Sequence, residues 1–316
     1  MEHAQLDEPI LYFYINSPCI ILGRNQDAYE EVNLDYVREH NIIVTRRTSG
    51  GGAVFDDLGN VSFSFITKDD GHSNGNFAKF TDPVIEALHE MGATKAELSG
   101  RNDLQIEGKK FSGNAMRIAH GRMFSHGTLM YDVDLDVIGH ALNVPKDKIE
   151  SKGIKSVHSR VTNLKPHFTP AYQHLTIEEF RDTLAKKILG VSDLADAKEY
   201  VLSDEDKAAV AKINAEIFSN WDFVYGKSPK AAIQHRQHFD QGTVDFRLQI
   251  EGGKIAYLKV YGDFLGQEDV RDFEQRLLGV RYDREAINQT IDEGLVARVF
   301  GKITKDEIVD LLVRQE

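Results

Sequence analysis

The chain has 316 residues, of which 41% are hydrophobic and 28% are charged. These proportions are typical of a globular protein and exclude a disordered, collagen-like or disulfide-scaffold chain. Single cores stop growing at ~250–300 residues, so the length predicts one large and one smaller domain. The formal net charge of −12 disfavours nucleic acid and anionic membranes as partners of the surface as a whole.

Cysteine use and the N-terminal residues predict the compartment. Cys19 is the only cysteine, which excludes an internal disulfide and a cysteine-rich zinc or iron–sulfur site. No apolar run approaches the ~20 residues of a membrane span, and residues 1–5 do not resemble a signal peptide. We therefore predict a soluble cytoplasmic protein.

The first half of the chain alternates short apolar runs with turns, which predicts strands. The predicted strands cover residues 10–15, 19–22, 42–45 and 61–66. The clearest helix is expected over residues 82–91, with Asp82 as N-cap, Pro83 at the first helical position and Gly92 as the stop. This is a mixed α/β pattern.

The second half begins with helix signals. Capping sequences that start at Thr176, Ser203 and Thr304 each predict a helix. Gly252 and Gly253 predict a tight turn between two strands. The elements expected before the last helix are helices at about 177–189 and 204–218 and strands at 244–250 and 254–261. The last ~90 residues therefore look like a compact α+β unit.

Residues 46–55 read Arg-Arg-Thr-Ser-Gly-Gly-Gly-Ala-Val-Phe. Consecutive glycines let the backbone approach a ligand and adopt positive φ, so that successive N–H groups can point at an anion. Arg46 and Arg47 add positive charge. A glycine run alone is more often a flexible turn, but the arginines and flanking strands favour a ligand-binding loop. The loop matches neither the P-loop nor the Gly-x-Gly-x-x-Gly pattern.

Two further polar segments are candidates for binding. In residues 99–115, Asp103 could hold Mg²⁺ and Lys110 could place a charge on a phosphate or carboxylate oxygen. Each residue alone would more often be solvated, so only their combination favours a site. Residues 151–165 contain four Lys or Arg and no acidic residue. This segment predicts contact with a phosphate or an acidic protein surface, and a solvated loop is the equal alternative.

Five segments, in this order and spacing, resemble the lipoate–protein ligases. They are residues 46–54, 100–103, 110–115, 126–129 and 152–154. Residues 221–229 resemble the junction to that family's C-terminal accessory domain. The resemblance covers nearly the whole chain and implies an α+β fold. It assigns residues 1–225 to a mixed-sheet catalytic domain of the biotin/lipoate ligase type and residues 226–316 to a small α+β accessory domain.

The resemblance also implies a reaction. ATP and lipoate would give lipoyl-AMP in the presence of Mg²⁺, and a lysine of an acceptor domain would then take the lipoyl group. Lys110 would be the catalytic residue, contacting the carboxylate and the α-phosphate, and Asp103 would hold Mg²⁺. The implied ATP and lipoyl-adenylate site comprises Arg47, Gly51, Gly52, Ala53, Val54, Phe55, Asn102, Asp103, Lys110 and Ser112, with His126 and Lys152 as further candidates.

The implied acceptors are the lipoyl domains of 2-oxoacid dehydrogenase E2 subunits and the glycine-cleavage H protein. The chain is expected to be a monomer without a nucleic-acid or membrane partner. Members of the family usually begin with a strand and a helix that are missing before residues 6–9 here. We therefore expect the native N-terminus to extend upstream of Met1.

Three alternatives remain at this point. A lipoyl or octanoyl transferase of the same superfamily would need a cysteine nucleophile, and Cys19 lies in an apolar segment where a buried thiol is favoured. A biotin ligase would share the fold, although the segments resemble the lipoate branch. A non-catalytic protein that binds lipoate or nucleotide is the third.

Two groups of polar residues are interpreted as structural. His235 and His238 have the spacing of a metal pair but no third ligand in sight, so we expect an exposed helix or loop there. Asp56 and Asp57 are expected in a turn rather than in a metal site.

Overall fold

The computed structural model describes residues 7–143, 160–225 and 233–314. The chain divides into two compact units. The first unit comprises residues 1–21, 29–46 and 54–224, and the second comprises residues 22–28, 47–53 and 225–316. The short segments 22–28 and 47–53 thus group with the C-terminal residues, and the sequence-based boundary after residue 225 stays a prediction.

A six-stranded sheet forms the centre of the first unit, with the order β1-β5-β9-β8-β7-β6. The strands are β1 Ile10–Tyr14, β5 Asn60–Lys68, β6 Ala96–Ser99, β7 Asp103–Ile106, β8 Lys109–Ala119 and β9 Arg122–Met130. Each neighbouring pair in this sheet is antiparallel. An isolated parallel bridge joins Lys110 to Val161.

A smaller sheet in the chain has the order β3-β2-β4. Its strands are β2 Cys19–Leu22, β3 Ile43–Arg46 and β4 Val54–Asp56. Ile20 lies opposite Phe55 in the antiparallel β2–β4 pair, and both side chains are buried. All four strands predicted in the first half are confirmed: β2 has the predicted bounds, and the ends of the other three differ by at most two residues.

Helix Ala78–Glu90 packs its buried face into the core of the first unit. The expected N-cap at Asp82 is wrong, because the helix begins one turn earlier and Pro83 lies inside it. Proline removes one backbone donor from the helix, but burial of Phe80 in the preceding turn holds that turn in place. The predicted stop at Gly92 is confirmed by its φ of +113°.

The capping sequences predict the later helices correctly. Thr176 caps helix Ile177–Leu189 and Ser203 caps helix Asp204–Ile213, each through a capping box. The last expected turn of the second helix is a π-helix, Asn214–Phe218. Shorter helices are Ala28–Glu31, Leu34–Glu39, Leu135–Ala141, Lys165–His167, Pro170–Gln173, Leu194–Asp196 and Trp221–Val224.

The second unit contains a three-stranded antiparallel sheet, β10-β11-β12. Its strands are β10 Ile233–Phe239, β11 Gly242–Glu251 and β12 Lys254–Gly262. The predicted hairpin is confirmed, since Gly252 and Gly253 have φ of +56° and +74°. Apolar residues of the strands and of the four C-terminal helices form one core. These helices are Val270–Leu277, Arg284–Thr290, Glu293–Phe300 and Lys305–Leu312.

The expectation of a helix or loop at His235 and His238 is wrong, and the exposure expected there is correct only for His238. Both residues lie on β10, where neighbouring side chains alternate between faces, so two residues three apart point to opposite faces. His235 is buried and its Nδ1 lies 3.1 Å from the carbonyl oxygen of Leu312. In the described ranges, no group of three or more His, Cys, Asp or Glu side chains could hold a metal ion.

Among the helices in the described part of the chain, none combines the length and the apolar character needed to cross a membrane.

Candidate functional site

The glycine-rich loop, residues 47–53, is held together by the Arg47 side chain. Its Nη2 donates to the carbonyl oxygens of Gly50 and Gly52, each at 2.7 Å. Gly51 adopts a φ of +92°, which favours glycine at this position. The Arg47 guanidinium is predicted to line the ligand site, and in the structure it binds the carbonyl oxygens of its own loop.

The three glycines of the loop differ in their surroundings. A Cβ on Gly50 would lie 2.5 Å from the carbonyl oxygen of Phe264. A Cβ on Gly51 would lie 2.9 Å from Nη2 of Arg47, whereas one on Gly52 would meet nothing within 4 Å. Gly50 and Gly51 thus serve packing and conformation, and Gly52 is the member of the run with open space beside it.

The residues on either side of the loop belong to the first unit. Arg46 is buried, and its Nη2 donates to the carbonyl oxygen of Val224 at 2.6 Å. Phe55 is buried on β4, and Val54 beside it is half-buried. Arg46 and Phe55 therefore have structural roles visible in the fold, and Val54 is more accessible.

Lys110 and Asp103 form an ion pair on the β7–β8 hairpin. The distance from Lys110 Nζ to Asp103 Oδ1 is 2.8 Å, and each side chain is 42% exposed. The register of the hairpin shifts between Leu104 and Gln105, and Asp103 lies opposite Gly113. A Cβ on Gly113 would lie 3.1 Å from the Lys110 ammonium, so a glycine here leaves room for that side chain.

The main chain at Lys110 is also fixed. Thr162 N–H donates to its carbonyl oxygen at 2.9 Å, next to the bridge to Val161. The ammonium is thus carried by a strand that is hydrogen-bonded on both sides, and a half-exposed cation in such a position can meet an anionic ligand with little rearrangement.

Asn102 and Ser112 contact the same neighbour, Asn114. Asn102 Nδ2 donates to the carbonyl oxygen of Asn114 at 2.6 Å, and Asn114 Nδ2 donates to that of Asn102 at 3.0 Å. Asn114 Nδ2 also lies 3.2 Å from Ser112 Oγ. Asn114 is absent from the predicted site, although it stands in the segment 110–115. Asn114 is only 4% exposed and is hydrogen-bonded to both Asn102 and Ser112, so it connects these two residues.

The last two candidates differ in what the structure describes. His126 is half-buried on β9, and its ring stacks on that of Phe124 with 4.6 Å between centroids. Lys152 lies outside the described residues, as does the basic segment up to residue 159. Farther along that segment, Lys165 pairs with Asp132 at 2.6 Å, which compensates its charge.

The expectation of a turn at Asp56 and Asp57 is correct only for Asp57, whose Oδ1 accepts the Gly59 N–H at 2.7 Å. Asp56 is wrongly predicted, because it is the last residue of β4 and is fully buried. Its Oδ2 accepts hydrogen bonds from Asn16 Nδ2 at 3.0 Å and from Ser62 Oγ at 3.1 Å. These donors stabilise a carboxylate away from water.

Two family models match the chain. The lipoyl protein ligase A/B catalytic domain matches residues 1–189, and the bacterial lipoate protein ligase C-terminus matches residues 228–312. This chain belongs to the lipoate–protein ligase family. The predicted family, the ligase class and the α+β fold are therefore confirmed.

Curated relatives of this lipoate–protein ligase match over almost its full length. Lipoate-protein ligase LplJ of Bacillus subtilis is 47% identical over 312 residues, covering 99% of this chain and 93% of the relative. Lipoate–protein ligase 1 of Staphylococcus aureus is 44% identical with the same two coverages.

Solved structures support the fold. LipL1 of P. falciparum, in complex with lipoate, superposes with a TM-score of 0.74 at 23% identity, covering 98% of this chain and 88% of that chain. A bipartite lipoate protein ligase of Thermoplasma acidophilum, described with its E2 lipoyl domain, gives a TM-score of 0.60 at 28% identity, covering 72% and 88%.

The surroundings of Cys19 agree with a ligase rather than with a transferase that uses a thioester. The residue is buried on β2. Burial, followed by the charges of Asp56 and Asp57, raises the pKa of the Cys19 thiol to about 12. Because the thiolate is the nucleophile, a thiol that stays protonated near neutral pH is inert.

Proposed function

We propose that this ligase attaches lipoate to a specific lysine of acceptor lipoyl domains in an ATP-dependent reaction through lipoyl-AMP, and so serves lipoate salvage. The observation that carries the proposal is the 47% identity to a named lipoate–protein ligase over 99% of the chain. Further support comes from a ligase structure of T. acidophilum with bound lipoic acid, at 26% identity and a TM-score of 0.57.

The proposed chemistry has two steps. A carboxylate oxygen of lipoate attacks the α-phosphorus of ATP, and the bond to pyrophosphate breaks. The neutral amine of the acceptor lysine then attacks the lipoyl carbonyl carbon, the bond to AMP breaks, and an amide forms as the amine loses a proton. Both steps concentrate negative charge on oxygen, which a fixed cation stabilises without reorganisation.

Lys110 is the proposed source of that cation. Its ammonium is half-exposed, and its backbone is hydrogen-bonded to Thr162. On arrival of ATP and lipoate, we propose that Lys110 leaves Asp103 and contacts the carboxylate and the α-phosphate. Exchange of one anionic partner for another keeps the ammonium paired throughout.

Asp103 is the proposed Mg²⁺ ligand. Protein sites commonly hold Mg²⁺ with one or two carboxylates while substrate phosphates supply further oxygens. Asp103 offers one half-exposed carboxylate on the same hairpin as Lys110, and this fits such a site. The ion would neutralise phosphate charge.

The other site residues are proposed to act in two ways. Gly52, Ala53 and their neighbours Gly51, Val54 and Phe55 would line the adenylate and lipoate site. Arg47 would shape the loop through the carbonyl oxygens that it binds.

Asn102 and Ser112 would act indirectly, through Asn114, which both residues contact. His126 and Lys152 stay further predictions.

The domain organisation and partners complete the proposal. Residues 1–225 would form the catalytic domain and residues 226–316 the accessory domain of a cytoplasmic monomer. The proposed acceptors are E2 lipoyl domains and the glycine-cleavage H protein. The T. acidophilum relative described with its E2 lipoyl domain supports this class of acceptor.

Lipoate-dependent exchange of pyrophosphate into ATP tests the first step. We expect exchange that requires both lipoate and Mg²⁺, and transfer to a purified lipoyl domain that shifts its mobility on a native gel. A folded preparation that binds lipoate without exchange would contradict the proposal and favour a non-catalytic binding protein.

A further inference from the structure

A short segment of the second unit, residues 22–28, is hydrogen-bonded to the glycine-rich loop. We call it the bridging segment. Its Leu22 carbonyl oxygen accepts the Arg47 N–H, and its Arg24 N–H donates to the Ser49 carbonyl oxygen, each at 2.9 Å. A Cβ on Gly23 would lie 1.8 Å from the Gly51 oxygen, so the two backbones are in direct contact. The loop therefore depends on the position of the bridging segment.

The same segment is also tied to the C-terminal part of its unit. Arg24 Nη2 lies 2.6 Å from Asp269 Oδ2, with side chains 16% and 30% exposed. Asp27 Oδ2 lies 3.1 Å from Arg247 Nη1, and that carboxylate side chain is 5% exposed. Ion pairs that are partly buried are screened by salt much less than exposed pairs. The bridging segment thus has fixed contacts toward the C-terminal residues as well as toward the loop.

Asp269 is itself a rigid anchor. It is the N-cap of helix Val270–Leu277, and its Oδ1 accepts the Arg271 N–H at 3.0 Å. Burial alone would raise its pKa, but Arg24 and Arg271 lower it to about 2. The carboxylate therefore stays ionised across the neutral range, and Arg24 always faces a charged partner.

We propose that Arg24 is a positioning residue for lipoate activation, since its ion pair with Asp269 holds the bridging segment and, through it, the glycine-rich loop in the substrate-binding conformation. This inference rests on the proposed function of the loop. Arg24 itself contacts both Asp269 and the loop, because its side chain binds Asp269 and its main-chain N–H binds the Ser49 carbonyl oxygen. Loss of the side-chain contact would lower the population of the binding-competent loop and weaken apparent affinity in proportion.

The chain offers a matched control. Arg271 Nη2 also pairs with Asp269, at 3.1 Å, but its side chain is 77% exposed and belongs to the helix that Asp269 caps. Arg24→Met and Arg271→Met each remove one cation from the same carboxylate. They differ in that Arg24 alone of the two belongs to the bridging segment.

The first test is steady-state pyrophosphate exchange with lipoate as the varied substrate. We expect Arg24→Met to raise the KM for lipoate about tenfold, the effect of one charge-assisted hydrogen bond, with a smaller change in kcat. Arg24→Lys should retain most of the affinity, and Arg271→Met should match the wild type. An unchanged KM in Arg24→Met, or an equal rise in both methionine variants, would overturn the proposal.

A second readout needs no activity. Two main-chain amides donate between the loop and the bridging segment, that of Arg47 and that of residue 24. Their hydrogen exchange is measured by mass spectrometry in the substrate-free protein, and Arg24→Met should speed it about tenfold while Arg271→Met leaves it unchanged. If Arg24→Met fails to fold, Asp269→Asn replaces it in this experiment, because an asparagine keeps an oxygen for the helix cap. Asp269→Asn should then show the same faster exchange. Absent pyrophosphate exchange in the wild type would contradict the proposed function, whereas unchanged protection in these variants would contradict the coupling.

Discussion

The Lys110 ammonium and the Asp103 carboxylate are 2.8 Å apart on one hairpin, and both side chains are 42% exposed. A pair this accessible to solvent contributes only about 0–1 kcal/mol to folding. It can therefore open at low cost when phosphate and carboxylate oxygens compete for the ammonium. The proposed catalytic lysine and the proposed Mg²⁺ ligand therefore form an ion pair that contributes little to the free energy of unfolding.

Lys110→Ala should reduce adenylate formation to a small residual rate without unfolding the protein. The side chain is proposed to meet substrate charge, and loss of such a group typically costs about 10²–10³ in kcat. Pyrophosphate exchange measures the activity, and the thermal midpoint measures folding. Lys109→Ala removes the adjacent, exposed lysine and should be neutral in both. Near wild-type exchange by Lys110→Ala would remove Lys110 from the mechanism.

Asp103→Asn should raise the Mg²⁺ concentration required for half-maximal exchange while leaving the thermal midpoint nearly unchanged. The amide keeps the size of the side chain but loses the charge that Mg²⁺ requires. A Mg²⁺ titration of the exchange reaction measures the shift. Glu97→Gln, on the neighbouring strand β6 where its carboxylate is exposed, is the matched control. An identical Mg²⁺ dependence in Asp103→Asn and the wild type would show that the ion binds elsewhere.

Local signals predicted the helices that begin with a capping box. Thr176, Ser203 and Thr304 each form a capping box in the structure, because that hydrogen bonding involves only residues three positions apart. The error at Asp82 has the opposite origin. There the start of the helix depends on burial of Phe80, whose ring lies 6.0 Å from that of Phe65 on β5, and a local pattern does not contain that contact.

The candidate site was predictable as a set of segments but not as a set of contacts. The glycine run identified the loop, but the contacts that require glycine at Gly50 and Gly51 appear only in the folded structure. Gly50 faces the carbonyl oxygen of Phe264, and Arg47 is turned toward its own loop. Asn114 likewise emerges only when Asn102 is brought beside it by the β7–β8 hairpin.

The wild type should lose stability relative to Cys19→Ala as the pH rises from about 9 toward 12. A cysteine thiol exposed to water in the unfolded chain has a pKa near 9.0, whereas burial first, and then the Asp56 and Asp57 charges, raise the pKa of native Cys19 to about 12. Above the unfolded pKa the unfolded state loses a proton that the native state keeps, so unfolding is favoured with increasing pH. Urea unfolding of both proteins at several pH values measures the difference.

The same variant tests the transferase alternative. Cys19→Ala should keep pyrophosphate exchange and transfer to a lipoyl domain, because a buried protonated thiol is no nucleophile. Complete loss of transfer in a folded Cys19→Ala protein would favour a thioester mechanism. A pH-independent stability difference between the two proteins would instead place the native pKa near its ordinary value.

Alanine substitutions along the glycine run should separate folding from ligand binding. Gly50→Ala places a Cβ 2.5 Å from the Phe264 carbonyl oxygen, and Gly51→Ala forces a side chain onto a φ of +92°. Each should cost roughly 1–3 kcal/mol of stability, through overpacking and backbone strain respectively. Thermal or urea unfolding measures both losses.

Gly52→Ala should behave differently. A Cβ at this position meets nothing within 4 Å, so the free energy of unfolding should stay within about 0.5 kcal/mol of the wild type. If the open space beside Gly52 is where the adenylate approaches the backbone, the added methyl group must instead obstruct the ligand. We expect a raised KM for lipoate or ATP in pyrophosphate exchange at unchanged stability. Full activity in a stable Gly52→Ala protein would mean that the ligand approaches the loop from another side.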